Sequence, residues 1–158
     1  MSKTKAHITP KSSLQAEKEY IVVDEGAGLI FETEKDLHGY FKGAIEKLEG
    51  EYQSLRSETD FNDEEQIERE HYLETTLDEP DEIWEDAGLN SEYSVCHFIK
   101  KLNEGAEDFY YIASAYLEKE TEVPTFVFIH FPTKSKDIMH NYQRQEMVYD
   151  RQFDEVVD

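Results

Sequence analysis

The fold is decided by residues 93–131, which read YSVCHFIKKLNEGAEDFYYIASAYLEKETEVPTFVFIHF. Apolar and aromatic residues recur there in runs bounded by short polar segments, a pattern typical of β-strands. We predict strands at 93–102, 109–117 and 125–131, with a fourth at 147–151. The connections between the first three are too short for a crossover helix, so these strands are expected to form an antiparallel meander.

The half of the chain before these strands is predicted to be mainly helical. Short β-prone runs at 20–23 and 29–31 first indicate a hairpin. A capping box at Thr33 then begins a helix over residues 34–56, because apolar residues follow it at three- and four-residue spacing. The residues expected to be buried on this helix are Leu37, Phe41, Ile45 and Leu48.

Two shorter helices are predicted between this long helix and the strands. One begins at Asn62 or Asp63, where acidic residues favour a helix N-terminus. The other begins at Pro80 and brings Ile83 and Trp84 into the core. Helices followed by about four antiparallel strands predict an α+β fold in which the helices pack on a small sheet.

Charge is distributed unevenly along the 158 residues. The chain holds 37 acidic and 16 basic residues, a formal net charge of −21, which argues against a broad basic surface for nucleic acid or anionic membrane. Residues 1–18 carry a net +3 and are predicted to be a flexible basic arm. Residues 19–158 are expected to form one domain, with the hairpin and helices in 19–92 and the sheet in 93–151. Within it, residues 58–92 form an acidic block of 15 acidic residues against one arginine.

Cysteine content and hydropathy restrict the class of protein. The single cysteine, Cys96, excludes an intramolecular disulfide and a multi-cysteine zinc site, and is expected to be a buried apolar filler. No apolar run is long enough to span a membrane, and the first 15 residues lack the apolar core of a secretory signal. We therefore expect a cytoplasmic protein that has no membrane partner.

Two motifs flank the predicted strands and resemble a known family. TLDEPDEIW at 76–84 resembles the T-L-x-x-P-D-E-I/V-W element of a phage-associated nuclease-like group, and Asn141-Tyr142-x-Arg144-Gln145, followed by Tyr149, resembles its final N-x-x-R-Q element. The group belongs to the barnase–EndoU–colicin-RNase–RelE-like (BECR) fold. Over roughly residues 70–151, the resemblance implies a barnase-like sheet and a metal-independent endoribonuclease of phage or mobile-element origin. An inactive member of the group is the alternative.

The resemblance implies that Arg144 is a catalytic residue, because cleavage of RNA without a metal requires a cation for the phosphorane charge. The alternative is that Arg144 forms an ion pair with Glu146 or with the acidic block. His97 and His130 are the candidates for proton transfer. In a meander they lie about 10 Å apart, and they can flank a phosphodiester only if they share a face of the sheet. Otherwise each is a buried histidine bonded to a neighbour.

The last long connection supplies candidate phosphate-binding residues, namely Lys134, Lys136 and Tyr142, with a solvated loop as the alternative for the two lysines. Glu68-x-x-His71 has the spacing of half a di-iron site, but the second half is missing, so we expect neither a metal nor another cofactor.

The acidic block offers a function of a different class. Its surface could be a solvated helix face, or it could imitate nucleic acid and bind a basic protein partner, as inhibitor and immunity proteins do. The residues expected to contact such a partner are Glu64, Glu65, Asp78 and Glu79. Sequence alone therefore leaves two hypotheses, an RNA-cleaving enzyme and a non-catalytic acidic binding module.

Overall fold

The computed structural model describes residues 8–10, 19–89 and 92–151. Its elements are, in chain order, β1 (Ile8–Pro10), β2 (Glu19–Asp24), β3 (Leu29–Phe31), α1 (Glu34–Leu55), α2 (Asp63–Glu68), α3 (Tyr72–Asp78), β4 (Glu82–Asp86), a 3-10 turn (Ala87–Leu89), β5 (Val95–Glu104), β6 (Glu107–Leu117), β7 (Pro124–Thr133), α4 (Lys136–Asn141) and β8 (Glu146–Asp150). The predicted α+β fold is confirmed. None of the helices in these ranges is long and apolar enough to cross a membrane.

The main sheet has five strands in the order β7-β6-β5-β4-β8, and every neighbouring pair is antiparallel. The predicted meander of β5, β6 and β7 is present, and the predicted last strand is β8. The fifth strand is β4, which lies between β5 and β8. A second, smaller sheet has the order β1-β2-β3, and its last two strands are the predicted hairpin.

The prediction of a helix starting at Pro80 is wrong. Glu82–Asp86 is a strand, with Trp84 opposite His97 of β5 on one side and Met147 of β8 on the other. Pro80 instead follows the end of α3, a position where proline prevents a helix from continuing. Ile83 and Trp84 are only partly buried, and they point to opposite faces of the sheet, where each packs against a different core.

The long helix α1 is confirmed with its cap. The Thr33 hydroxyl accepts a hydrogen bond from the backbone N–H of Asp36 at 3.0 Å, which satisfies one of the unpaired donors at the helix start. Of the apolar residues predicted to be buried on α1, three are buried and Ile45 is partly buried. The second predicted helix begins with a capping box between Asn62 and Glu65.

The two faces of the five-stranded sheet carry separate cores. One face packs against α1 and the small sheet, and its core includes Phe41, Ile99 and Ile112. The other face packs against α3, and its core includes Leu73 and Phe98. Cys96 belongs to this second core and is buried, as predicted. Each strand residue therefore belongs to one of two different environments, according to its position in the alternation.

The predicted basic arm, residues 1–18, lies outside the described residues except for Ile8–Pro10. These three residues pair with β2. The family motifs, by contrast, lie entirely within the described ranges, so the position of each candidate side chain can be stated.

Candidate functional site

Arg144 lies at the centre of a partly buried ion-pair network on the α1 side of the sheet. Its Nη1 and Nη2 donate to the two carboxylate oxygens of Glu51 on α1, at 2.6 and 3.1 Å. Its Nε donates to Asp86 Oδ2, at the end of β4, at 2.5 Å. The guanidinium is therefore held on two edges. Glu51 binds the fork formed by Nη1 and Nη2, and Asp86 binds the edge that carries Nε.

A buried chain of hydrogen bonds continues from Asp86 into the sheet. Asp86 Oδ2 lies 3.1 Å from His97 Nε2, and His97 Nδ1 lies 2.7 Å from Ser114 Oγ. His97 and Ser114 are opposite each other on β5 and β6, and both are 0% exposed. Because Asp86 is an acceptor, we assign the imidazole proton to Nε2, which leaves Nδ1 to accept from the Ser114 hydroxyl.

The charges of the network follow from burial and hydrogen bonding. Burial lowers the pKa of His97 despite the bond to Asp86, so its imidazole is neutral near pH 7. Burial opposes ionisation of Asp86, but hydrogen bonds from His97 and Arg144 outweigh it and hold its pKa well below the ordinary value. Glu51 behaves in the same way, through Arg144. Two carboxylates thus face one guanidinium, which leaves this group of charges negative.

Local backbone geometry directs Asp86 and Arg144 toward each other. Alternation along β4 puts Asp86 on the same face as His97, because Asp86 is opposite Val95 and Trp84 is opposite His97. Arg144 lies between α4 and β8, and the next residue, Gln145, has a φ of 69°. This left-handed conformation is uncommon for residues other than glycine, and it turns the chain from α4 into β8.

A second polar group lies on the same face of the sheet. Glu82 Oε1 accepts from the indole N–H of Trp84 at 2.9 Å and from Gln143 Nε2 at 2.8 Å. These bonds fix the orientation of the Gln143 amide, whose Oε1 lies 2.7 Å from Nδ1 of the exposed His140. His140 therefore donates from Nδ1, which leaves its Nε2 as an acceptor. Lys101 Nζ lies 3.2 Å from Glu82 Oε2.

The structure brings together only two of the three predicted catalytic residues. Arg144 and His97 both contact Asp86, which belongs to the acidic block, so the ion pair considered as the alternative for Arg144 is present. His130 lies on the opposite face of the sheet. It is opposite Ala113 on β6, and its Nδ1 lies 2.8 Å from the Tyr111 hydroxyl. His97 and His130 thus do not face a common space, because the strand register puts them on different sides.

The predicted phosphate-binding residues are also dispersed. Lys134 Nζ lies 3.7 Å from Glu107 Oε2 and 5.0 Å from the centre of the Phe61 ring, and Lys136 is the exposed first residue of α4. Tyr142 is 0% exposed, with its ring against those of His97 and Phe131. Burial raises the pKa of the Tyr142 hydroxyl. Tyr142 therefore lies in the hydrophobic core, beside the ion-pair network of Arg144.

The acidic residues proposed for partner binding are at the surface, with one exception. Glu64, Asp78 and Glu79 are exposed, whereas Glu65 is partly buried. Glu65 caps α2, because its carboxylate accepts from the backbone N–H of Asn62 at 2.9 Å. In the described ranges, no three His, Cys, Asp or Glu side chains are arranged to hold a metal ion.

Sequence reasoning missed Glu51, Asp86 and Ser114 as parts of the site. One feature of the sequence could have identified Asp86 as a site residue. If residues 82–86 are taken as a strand, simple alternation puts Glu82, Trp84 and Asp86 on one face of the sheet. The position of Asp86 among 15 acidic residues concealed that signal. Glu51 is one of several glutamates on α1, and nothing local to it identifies Arg144 as its partner.

Comparison with known proteins agrees with the fold and the motifs. The family described as "phage-Barnase-EndoU-ColicinE5/D-RelE like nuclease2" matches residues 28–150. The match therefore includes α1 and Glu51, which lie outside the region where the motifs alone resemble the group. No curated protein and no solved structure matches the chain. Since the matched region covers more than half of the sequence, the chain belongs to this family of phage barnase–EndoU–colicin–RelE-like nucleases.

Proposed function

We propose that this protein is an endoribonuclease that cleaves RNA without a metal ion, and that Arg144 is its phosphate-binding cation. In this reaction the 2′-oxygen attacks the adjacent phosphorus, the bond to the 5′-oxygen breaks, and a 2′,3′-cyclic phosphate remains. The attacking hydroxyl loses its proton to a base, and the leaving oxygen gains one from water. Arg144 would stabilise the negative charge that develops on the phosphorane oxygens.

The observation that carries the proposal is the fixed position of Arg144 at the protein surface. Its side chain is 27% exposed, while Asp86, which holds its Nε, is 4% exposed. A cation fixed before substrate arrives loses little conformational entropy when it binds phosphate, and it needs no reorganisation during the reaction. The membership of a nuclease-like family supports the same assignment.

His97 is assigned a positioning role in this proposal. It is too deeply buried to touch RNA, but it donates to Asp86, which in turn orients Arg144. Ser114 extends the same support by fixing the His97 ring. Functional side chains in other proteins are likewise held in place by residues that act on them through one intervening side chain.

We assign the base to His140. It is exposed, it lies four residues before Arg144, and its contact with Gln143 leaves Nε2 able to accept a proton. An imidazole that donates from one nitrogen in this way has its other nitrogen in position to take a proton from a hydroxyl group. His130 is not included, because it lies on the other face of the sheet.

The experiment is RNA cleavage by the purified protein in EDTA, with three substitutions compared. Arg144→Ala should lower the rate about 100-fold or more, as loss of a charge-stabilising group does in other enzymes. His140→Ala should lower it about 100-fold. His38→Ala removes another exposed histidine, on α1, and should leave the rate unchanged. If the wild type does not cleave RNA, the chain is an inactive member of its family.

A second candidate function, an acidic binding module, is favoured by the exposure of the acidic block. Glu64 lies on α2, and Asp78 and Glu79 lie at the end of α3; all three are exposed. An exposed surface of this charge would attract a basic partner, and binding would weaken steeply with salt because exposed charges are screened beyond about 8 Å at 0.15 M.

The test of this module uses decalysine as the basic probe. A Glu64→Gln, Asp78→Asn, Glu79→Gln variant should bind decalysine several-fold more weakly than the wild type does. Glu65 is kept in this variant, because it caps α2 and its loss would change stability. Equal binding by both proteins, or binding that does not respond to salt, would remove the module from consideration.

A further inference from the structure

We propose that Glu51 occupies the phosphate position on Arg144, so that the site in this structure is closed and opens when the Glu51 side chain swings away. RNA phosphate then replaces the Glu51 carboxylate. This inference rests on the proposed function, because it takes Arg144 as the residue that binds phosphate. It adds a regulatory contact between α1 and the site.

The geometry of the pair supports this assignment. The two oxygens of Glu51 accept from Nη1 and Nη2 of Arg144, at 2.6 and 3.1 Å. Two oxygens of a phosphate group bind a guanidinium fork in the same parallel arrangement. Asp86 already takes the Nε edge, so the fork that holds Glu51 is the part of Arg144 that a phosphate would use.

Glu51 is also the carboxylate that can leave at low cost. Its side chain is 29% exposed, so a rotation about its own bonds moves the carboxylate into water. Asp86 is 4% exposed and accepts from Arg144, from His97 and from the backbone N–H of Gly88. Displacing Asp86 would leave the buried His97 donor and two partly buried donors unpaired, whereas displacing Glu51 exposes the Arg144 fork to solvent.

The charge balance explains why the closed site resists phosphate. With Glu51 in place, two carboxylates surround one guanidinium, because the neutral His97 adds no charge. A phosphodiester would meet a negative group of charges inside a protein whose net charge is −21. With Glu51 withdrawn, Arg144 and Asp86 balance each other, and the fork of Arg144 is free to donate.

The experiment measures binding of a thymidine hexanucleotide, which lacks the 2′-hydroxyl and so is not cleaved by the proposed reaction. Binding is followed through the Nε–H resonance of Arg144 by NMR. Glu51→Gln should bind about tenfold more tightly than the wild type, the change expected when a competing charge-assisted hydrogen bond is lost. Glu49→Gln is the matched control, since it removes the same charge from an exposed position on α1.

Two further variants test whether the effect depends on the charge at position 51 and on the guanidinium of Arg144. Glu51→Asp retains the charge on a shorter side chain, and should bind more tightly than wild type but less tightly than Glu51→Gln. Glu51→Gln combined with Arg144→Ala, in which binding is followed through backbone amide resonances because the guanidinium is absent, should lose the gain, which ties the effect to the guanidinium.

Equal affinities for Glu51→Gln and Glu49→Gln would overturn the inference. If the wild type nonetheless cleaves RNA in a manner that depends on Arg144, the proposed function survives that failure. If no variant binds the hexanucleotide or cleaves RNA, both the inference and the proposed function are wrong.

Discussion

Replacing Asp86 by asparagine tests whether the buried network stabilises the fold. Asp86 accepts from Arg144 Nε at 2.5 Å, from His97 Nε2 at 3.1 Å and from the Gly88 N–H at 3.1 Å. Asparagine keeps the shape but loses the charge, and it presents an amino group to one of these donors. Breaking a buried ion pair costs about 3–5 kcal/mol. Because 27% of the Arg144 side chain is exposed, we expect a loss of about 3 kcal/mol.

The assay is urea unfolding followed by the fluorescence of Trp84, the single tryptophan, which lies two residues from Asp86 on β4. Glu85→Gln is the control. Glu85 points to the other face of the sheet and accepts a hydrogen bond from Ser94 Oγ at 2.8 Å, so its loss should cost about 1 kcal/mol. If Asp86→Asn is no more destabilising than Glu85→Gln, the reasoning about the network is refuted.

Two further predictions concern the stability of the folded protein, one at His97 and one at Gln145. Burial lowers the pKa of His97 in the folded protein, so below about pH 6.5 the unfolded chain binds a proton that the folded chain does not bind. The free energy of unfolding therefore decreases as the pH is lowered. In urea titrations at several pH values, His97→Gln should lose less stability on acidification than the wild type does, by up to about 1.4 kcal/mol per pH unit. Parallel plots of unfolding free energy against pH for the two proteins would contradict the burial argument. Gln145 has a φ of 69°, so Gln145→Gly should raise the free energy of unfolding by about 0.5–1 kcal/mol, whereas Gln145→Val should lower it. Equal stability of the glycine and valine variants would show that this conformation is not strained.

The parts of the fold that could be predicted from the sequence are those set by local patterns. The stripe of apolar residues and the Thr33 cap predict α1, because helix periodicity is a property of one segment. The meander of β5, β6 and β7 follows from alternating runs and short connections. The strand β4 could not be predicted in this way. Its state depends on pairing with β5 and β8, and tertiary pairing overrides the preference for a helix after Pro80.

In the candidate site, Arg144 and His97 could be named from the sequence, but the acidic residues that hold Arg144 could not. Its partners Asp86 and Glu51 lie 58 and 93 residues away in the sequence, and no local spacing connects such distant residues. The separation of His97 from His130 depends on register, since a shift of one residue moves a side chain to the other face. The overall charge suggested that acidic residues are surface groups, whereas Asp86 is buried at the centre of the site.

The end groups of RNA fragments provide the most direct test of the central claim, that Arg144 stabilises charge in metal-independent cleavage. RNA is incubated in EDTA with the wild type or with Arg144→Lys, and the fragments are identified by mass spectrometry. We predict 2′,3′-cyclic phosphate ends from the wild type and about 100-fold fewer from Arg144→Lys, because lysine lacks both the fork that would bind phosphate and the Nε–H that Asp86 holds. Fragments with 5′-phosphate ends, or equal yields from both proteins, would contradict the account.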